Sequence, residues 1–97
     1  MIVRERYKLK EFVLKHADAT KAIEKWLTIV SKSHWQNHNE LKLDYPSADY
    51  VGNSRYVFNI KGNNYRLIVV AVFFAGELTV RFIGTHAEYD KIDASTI

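Results

Sequence analysis

The feature that most constrains this chain is the placement of turn-forming residues around three strand-like runs between Arg55 and Gly84. Arg55 to Ile60 alternates apolar with polar residues. Lys61-Gly62-Asn63-Asn64 then supplies glycine and asparagine, which tolerate the positive φ angles of tight hairpin turns. Tyr65 to Phe74 is the longest run, Ala75-Gly76 ends it, and Leu78 to Gly84 follows as a third. Connections this short join antiparallel neighbours, because a parallel crossover needs about a dozen residues or more. The spacing therefore predicts an antiparallel meander.

Before the meander the period changes. From Tyr7, Leu9, Phe12, Val13 and His16 recur at helical spacing, with Lys8, Lys10, Glu11 and Lys15 on the other side. Asp18 is a natural N-cap for a second helix, whose stripe is Ala19, Ala22, Ile23, Trp26, Leu27 and Val30. Met1 to Val3 suits a short edge strand. Ser31 to Ser54 reads as a connecting loop holding one short helix, capped by Asn39 and stopped before Pro46. The expected fold class is α+β: two N-terminal helices packed on a twisted, mainly antiparallel sheet, with a short C-terminal helical tail.

Ninety-seven residues, 47% of them apolar, fit one domain over residues 1–97 with a single modest core. The absence of cysteine excludes a disulfide framework, a thiolate metal site and a cysteine nucleophile. The longest apolar run, Leu67 to Ala75, is about nine residues, where a membrane span needs roughly twenty. No secretory signal interrupts this reading, so a soluble cytoplasmic protein with no membrane partner is expected.

A formal charge of +3 says little about partners; its distribution says more. Between Val51 and Ile83 the cations Arg55, Lys61, Arg66 and Arg81 face only one carboxylate, Glu77. If both loops are two-residue turns, Asn59, Arg66 and Thr85 share one row across the sheet, and Arg55, Val70 and Arg81 share another. Tyr56, Phe58, Ile60, Tyr65, Leu67, Val69, Phe73, Leu78, Val80 and Phe82 then face the helices. A bulged second turn would shift that register by one. A surface greasy on one side and cationic on the other, ending in His86, suits the holding and cutting of RNA.

Arg55-Tyr56-Val57-Phe58-Asn59-Ile60-Lys61-Gly62-Asn63, then Tyr65-Arg66-Leu67, then Gly84-Thr85-His86-Ala87-Glu88-Tyr89-Asp90 resemble the HigB branch of the RelE-like bacterial toxins. The Tyr45-Pro46-Ser47 turn and the helical first half extend the similarity over essentially the whole chain. The resemblance implies a type II toxin–antitoxin toxin, an endoribonuclease that cleaves mRNA, usually on the translating ribosome. It also implies a cognate helix-turn-helix, HigA-like antitoxin and no metal or other cofactor. No His-x-x-x-His pair or gathered carboxylates stand at ligand spacing.

Metal-free cleavage uses the 2′-hydroxyl as nucleophile, so a proton must be removed, a phosphorane neutralised and the leaving oxygen protonated. His86 is the candidate general base or acid. Arg66 is the candidate phosphate clamp. Tyr89 either donates a proton or stacks on a base, while Asp90 either orients the imidazole or caps a terminal turn. Lys61, Arg81, Asn59 and Arg55 are the candidate RNA-binding residues. Two other functions fit such a scaffold: a protein-binding inhibitor of the kind that poisons DNA gyrase, and a noncatalytic RNA-binding remnant.

Overall fold

A computed structural model describes residues 1–97. β1 (Ile2–Arg4) leads into α1 (Tyr7–Lys15); a 3-10 turn at Ala17–Ala19 opens α2 (Thr20–Lys32), and α3 (His38–Asp44) follows. The chain then lays down β2 (Asp49–Gly52), β3 (Arg55–Ile60), β4 (Tyr65–Val72) and β5 (Glu77–Thr85) before one helical turn, α4 (His86–Tyr89). The sheet order is β1-β5-β4-β3-β2, with only the β1–β5 pair parallel. The architecture is α+β, with a five-stranded mixed sheet in place of a three-stranded meander.

One face of the sheet carries the core. Tyr56, Phe58, Ile60, Leu67, Val69, Leu78 and Val80 are buried there with Leu9 and Phe12 of α1, Ile23, Trp26 and Val30 of α2, and Leu41 of α3. Each fully buried aliphatic side chain contributes about 1.5–3 kcal/mol relative to exposure. The helical stripes follow the expected spacing, but two caps do not. Asp18 does not cap α2, whose N-cap is Ala19 with no side-chain bond. Its carboxylate instead accepts from the Tyr65 hydroxyl at 2.7 Å and Lys61 Nζ at 2.8 Å, tertiary donors that outcompete a local amide. The cap of α3 is Asn37, not Asn39: its side chain accepts from Glu40 N–H at 3.0 Å while Glu40 returns to Gln36 N–H at 2.9 Å.

The stretch expected to be loop before Arg55 also contains β2, an edge strand too exposed and too short to show alternation. It joins β3 through Gly52, Asn53 and Ser54, all at positive φ (94°, 50° and 63°).

The two hairpins of the meander differ. In β3–β4, Asn59 stands opposite Arg66, as the Gly62-Asn63 turn predicts. In β4–β5, Val72 pairs with Glu77 across a 3-10 turn at Phe73–Ala75 closed by left-handed Gly76. Val69 pairs with Val80 but Ile68 with Phe82, so Arg81 is the extra residue of a bulge. The lengthened turn and the bulge together correct three expectations. Arg66 lies opposite Gly84, not Thr85; Val70 lies opposite Thr79, not Arg81. Ile83 packs against the core, and Phe82 takes the outer face with Gly84. Alanine cannot readily supply the positive φ of a two-residue turn, so the loop lengthens and the bulge absorbs the difference.

Candidate active site

The bulge decides what stands beside Arg66. Its cross-strand neighbours are Asn59 on β3 and Gly84 on β5, so one flank is a carboxamide and the other lacks a side chain. A Cβ at residue 84 would lie 2.6 Å from Phe82 Cζ and 3.0 Å from Glu88 Oε1. Glycine is the residue that lets β5 run directly into α4 at this point.

α4 is too short to form alone, and its start is fixed by a reciprocal cap. Thr85 Oγ1 accepts from Glu88 N–H at 3.2 Å, and Glu88 Oε1 accepts from Thr85 N–H at 2.8 Å. The Thr85 backbone amide is the main reason the Glu88 carboxyl lies below its ordinary range. The cap delivers His86, the first residue of α4, to Arg66: Nη2 lies 2.5 Å from imidazole Nε2. Arg66 Nη1 donates to the carbonyls of Asn63 at 3.1 Å and Tyr65 at 3.4 Å, tying the guanidinium to the β3–β4 turn.

Arginine only donates, so this contact makes Nε2 the acceptor and leaves the ring proton on Nδ1. Nδ1 faces Asp90 Oδ1 at 3.9 Å, beyond hydrogen-bond reach but close enough to favour that orientation. Tyr89 follows His86 by one turn (i, i+3), which places the two on one side of α4. His86 and Asp90 are exposed, whereas Arg66, Asn59 and Tyr89 are half-buried. A guanidinium, an acceptor nitrogen and a carboxamide thus gather at one open end of the sheet, with Tyr89 three residues along α4. Such a set can grip a phosphodiester and move protons around it.

The remaining candidates lie elsewhere. Lys61 turns to the helical side and pairs with Asp18, which also lowers the Asp18 carboxyl, with Tyr65 as a second donor. Arg81 sits exposed at the bulge near Glu5, whose carboxyl is held low chiefly by Lys8 and to a lesser degree by Arg81. Arg55 shares the face of Arg66 but is engaged: Nε and Nη2 reach the Ile97 carbonyl at 3.3 and 2.9 Å, and Nη1 the Asn53 carbonyl at 2.9 Å. Gly84, the glycine that closes the third strand-like run two residues before His86, is needed here for the space beside Phe82 and Glu88. No group of three His, Asp or Glu side chains is arranged to hold a metal ion. No helix is long and apolar enough to cross a membrane.

The family model described as HigB toxin, RelE-like toxic component of a toxin–antitoxin system, matches residues 19–92. The chain belongs to the HigB toxin family. This HigB-family chain is 33% identical over 68 residues to the mRNA interferase toxin HigB of Escherichia coli strain K12. That alignment covers 67% of the chain and 64% of the relative, and the mRNA interferase HigB of Shigella flexneri gives the same figures. To the mRNA interferase HigB of Escherichia coli O6:H1 it is 27% identical over 85 residues, 86% of the chain and 82% of the relative. The chain thus spans just under two thirds of the length of the first two relatives. Arg66, Asn59, Gly84, His86 and Tyr89 all fall within the family match; residues 93–97 fall outside it.

Proposed function

We propose that this HigB-family chain is the toxin of a type II toxin–antitoxin pair and cleaves mRNA through Arg66, His86 and Tyr89. The 2.5 Å approach of Arg66 Nη2 to His86 Nε2 carries the reading, because it brings a phosphate-binding group and a proton acceptor together on an exposed surface. Family membership and the printed names of its relatives support the reaction class. The proposed site of action is mRNA on the translating ribosome in the cytoplasm, with a helix-turn-helix antitoxin of the HigA kind as the silencing partner.

In the proposed reaction the scissile phosphate displaces Arg66 Nη2 from the imidazole. The guanidinium then binds two non-bridging oxygens, and Nε2 is freed to take the 2′-hydroxyl proton. The 2′-oxygen attacks phosphorus, the P–O5′ bond breaks, and the Tyr89 hydroxyl protonates the leaving 5′-oxygen. Asn59 supports the phosphate from the adjacent strand, and Arg66 carries the growing charge on the phosphorane. The products are a 2′,3′-cyclic phosphate and a 5′-hydroxyl end.

Primer extension on cellular mRNA after induction tests the reading. New 5′-hydroxyl ends with the wild-type chain, and their loss by about 10²-fold or more with His86→Ala or Arg66→Ala, are expected. Growth arrest without new mRNA ends would favour a protein-binding inhibitor, and two fully active variants would refute the site.

A further inference from the structure

The outer face of the sheet is covered at one end and open at the other. Val57 and Ile68 are 2% and 0% exposed, yet they lie on the face opposite α1, α2 and α3 and outside the main core cluster. The chain leaving α4 returns to this face, where Arg55, two residues before Val57 on β3, holds Ile97. It is bonded in two consecutive turns: Asp90 N–H to the His86 carbonyl at 3.0 Å, Lys91 to Glu88 at 3.2 Å and Ile92 to Tyr89 at 3.3 Å, then Thr96 and Ile97 both to Asp93 at 3.1 Å. Asp93 Oδ1 also accepts from Ser95 N–H at 3.0 Å and Oγ at 2.7 Å.

This segment is fastened at its far end. Arg55 donates two bonds to the Ile97 carbonyl, and Asn53 Nδ2 donates to the Ser95 carbonyl at 2.9 Å. Arg55 in turn holds the Asn53 carbonyl, so the two residues form one buckle. Asn53 occupies it at a φ of 50° beside Ser54 at 63°. Two adjacent non-glycine residues in the left-handed region carry a backbone cost that needs compensation from their surroundings.

We infer that residues 93–97 are a strap, fastened by Arg55 and Asn53, that sets the position of α4 and so holds His86 against Arg66. Thr85 and Glu88 fix the start of α4, and the strap fixes its exit. A single helical turn has too few internal bonds to fix itself. Arg55 pairs with Val70, four residues along β4 from Arg66, or about 13 Å away at strand rise. Arg55 and Asn53 are positioning residues, not RNA contacts.

The inference rests on the proposed reading of His86 and Arg66 as the reactive pair, so it is tested with and without chemistry. Asn53→Gly keeps the positive φ and removes the bond to Ser95; Arg55→Lys keeps the charge and removes the two-pronged grip. The full-length variants are compared with wild type by single-turnover cleavage of a defined mRNA on ribosomes, and by the NMR ring resonances of His86 in the free protein. Either variant is expected to lower the cleavage rate about tenfold at saturation with half-saturation changed less than about twofold, since misplacement of a reacting group costs rate. Both are expected to shift or broaden the His86 resonances while those of His34, beside Trp35 and Phe74 and away from α4, stay in place.

Weakened half-saturation with an unchanged rate, for Arg55→Lys alone, would make Arg55 an RNA contact and overturn the strap. Unmoved His86 resonances in both variants would overturn it as well, whatever the chain cleaves. If wild type cleaves nothing yet the His86 resonances move, the strap stands and the nuclease reading falls.

Discussion

The two hairpins of the meander share β4 but obey different rules, and the contrast explains the site. In the first, the turn takes its positive φ at Lys61 and Gly62 (53° and 65°), and the ladder runs without interruption from Arg55↔Val70 to Ile60↔Tyr65. In the second, the turn is a 3-10 segment and Arg81 is squeezed out of the ladder. A regular ladder places residues by counting; a bulged one places them by what the surroundings bury. The reactive pair spans both, with Arg66 set by the regular hairpin and His86 by the end of the bulged one.

That distinction breaks most sharply if the regular hairpin is made irregular. Inserting one alanine between Val57 and Phe58 turns either Tyr56 or the pair Phe58 and Ile60 away from the core. Urea unfolding should show a loss of about 4 kcal/mol or more. A loss below about 1 kcal/mol would mean that the first ladder absorbs a bulge as readily as the second, and the contrast would vanish.

Deleting Arg81 asks the converse question. Every later pair, from Ile68↔Phe82 onward, can keep its partner and its face, and only the added local twist disappears. Stability should change by about 1 kcal/mol or less, whereas mRNA cleavage should fall about tenfold because α4 leaves β5 at a different angle. Equal losses in both readouts would indicate that the bulge serves packing alone.

A smaller effect is expected from Gly84→Ala. The new methyl meets Phe82 Cζ and Glu88 Oε1, so either the ring moves or the cap of α4 loosens. Thermal unfolding should report about 1 kcal/mol of destabilisation, the typical cost of a lost N-cap. Coupling to Thr85→Ala in a double-mutant cycle would locate the strain in the cap, and strict additivity would place it in Phe82.

The smallest effect comes from acid. Asp18 pins the first hairpin through Lys61 and Tyr65, and Glu88 caps the end of the second; both carboxyls lie below their ordinary values of 3.8 and 4.5. The unfolded chain takes up these protons first as pH falls, so the stabilisation is complete above that range. It is lost as pH drops through the depressed folded-state values. Melting temperature against pH should decline there, and Asp18→Asn should flatten part of the slope. An unchanged slope would remove Asp18 as a pin of the first hairpin.

Much of the fold was legible because its signals are local. The stripes of α1 and α2, the alternation of β3 and the Gly62-Asn63 turn each depend on neighbours in the chain, and each element formed where its pattern lies. Asp18 and Asn39 misled for the opposite reason. Short polar side chains serve as caps or as tertiary ligands according to which donors arrive from distant segments, here Tyr65 and Lys61 for Asp18. β2 carries no local signal because an exposed edge strand need not alternate.

Taken alone, the sequence determined the α+β class, the pairing of Asn59 with Arg66 and the residue types that a phosphate-cutting site requires. Periodicity and turn chemistry operate over a few residues, so they survive without knowledge of the rest of the molecule. Tertiary structure decided which residue faces Arg66 across β5, that Ile83 and not Phe82 enters the core, and that Arg55 grips residues 93–97. Those outcomes depend on where the bulge falls and on which distant carbonyl meets each donor. Both are set by the burial of the whole sheet, and no local pattern encodes them.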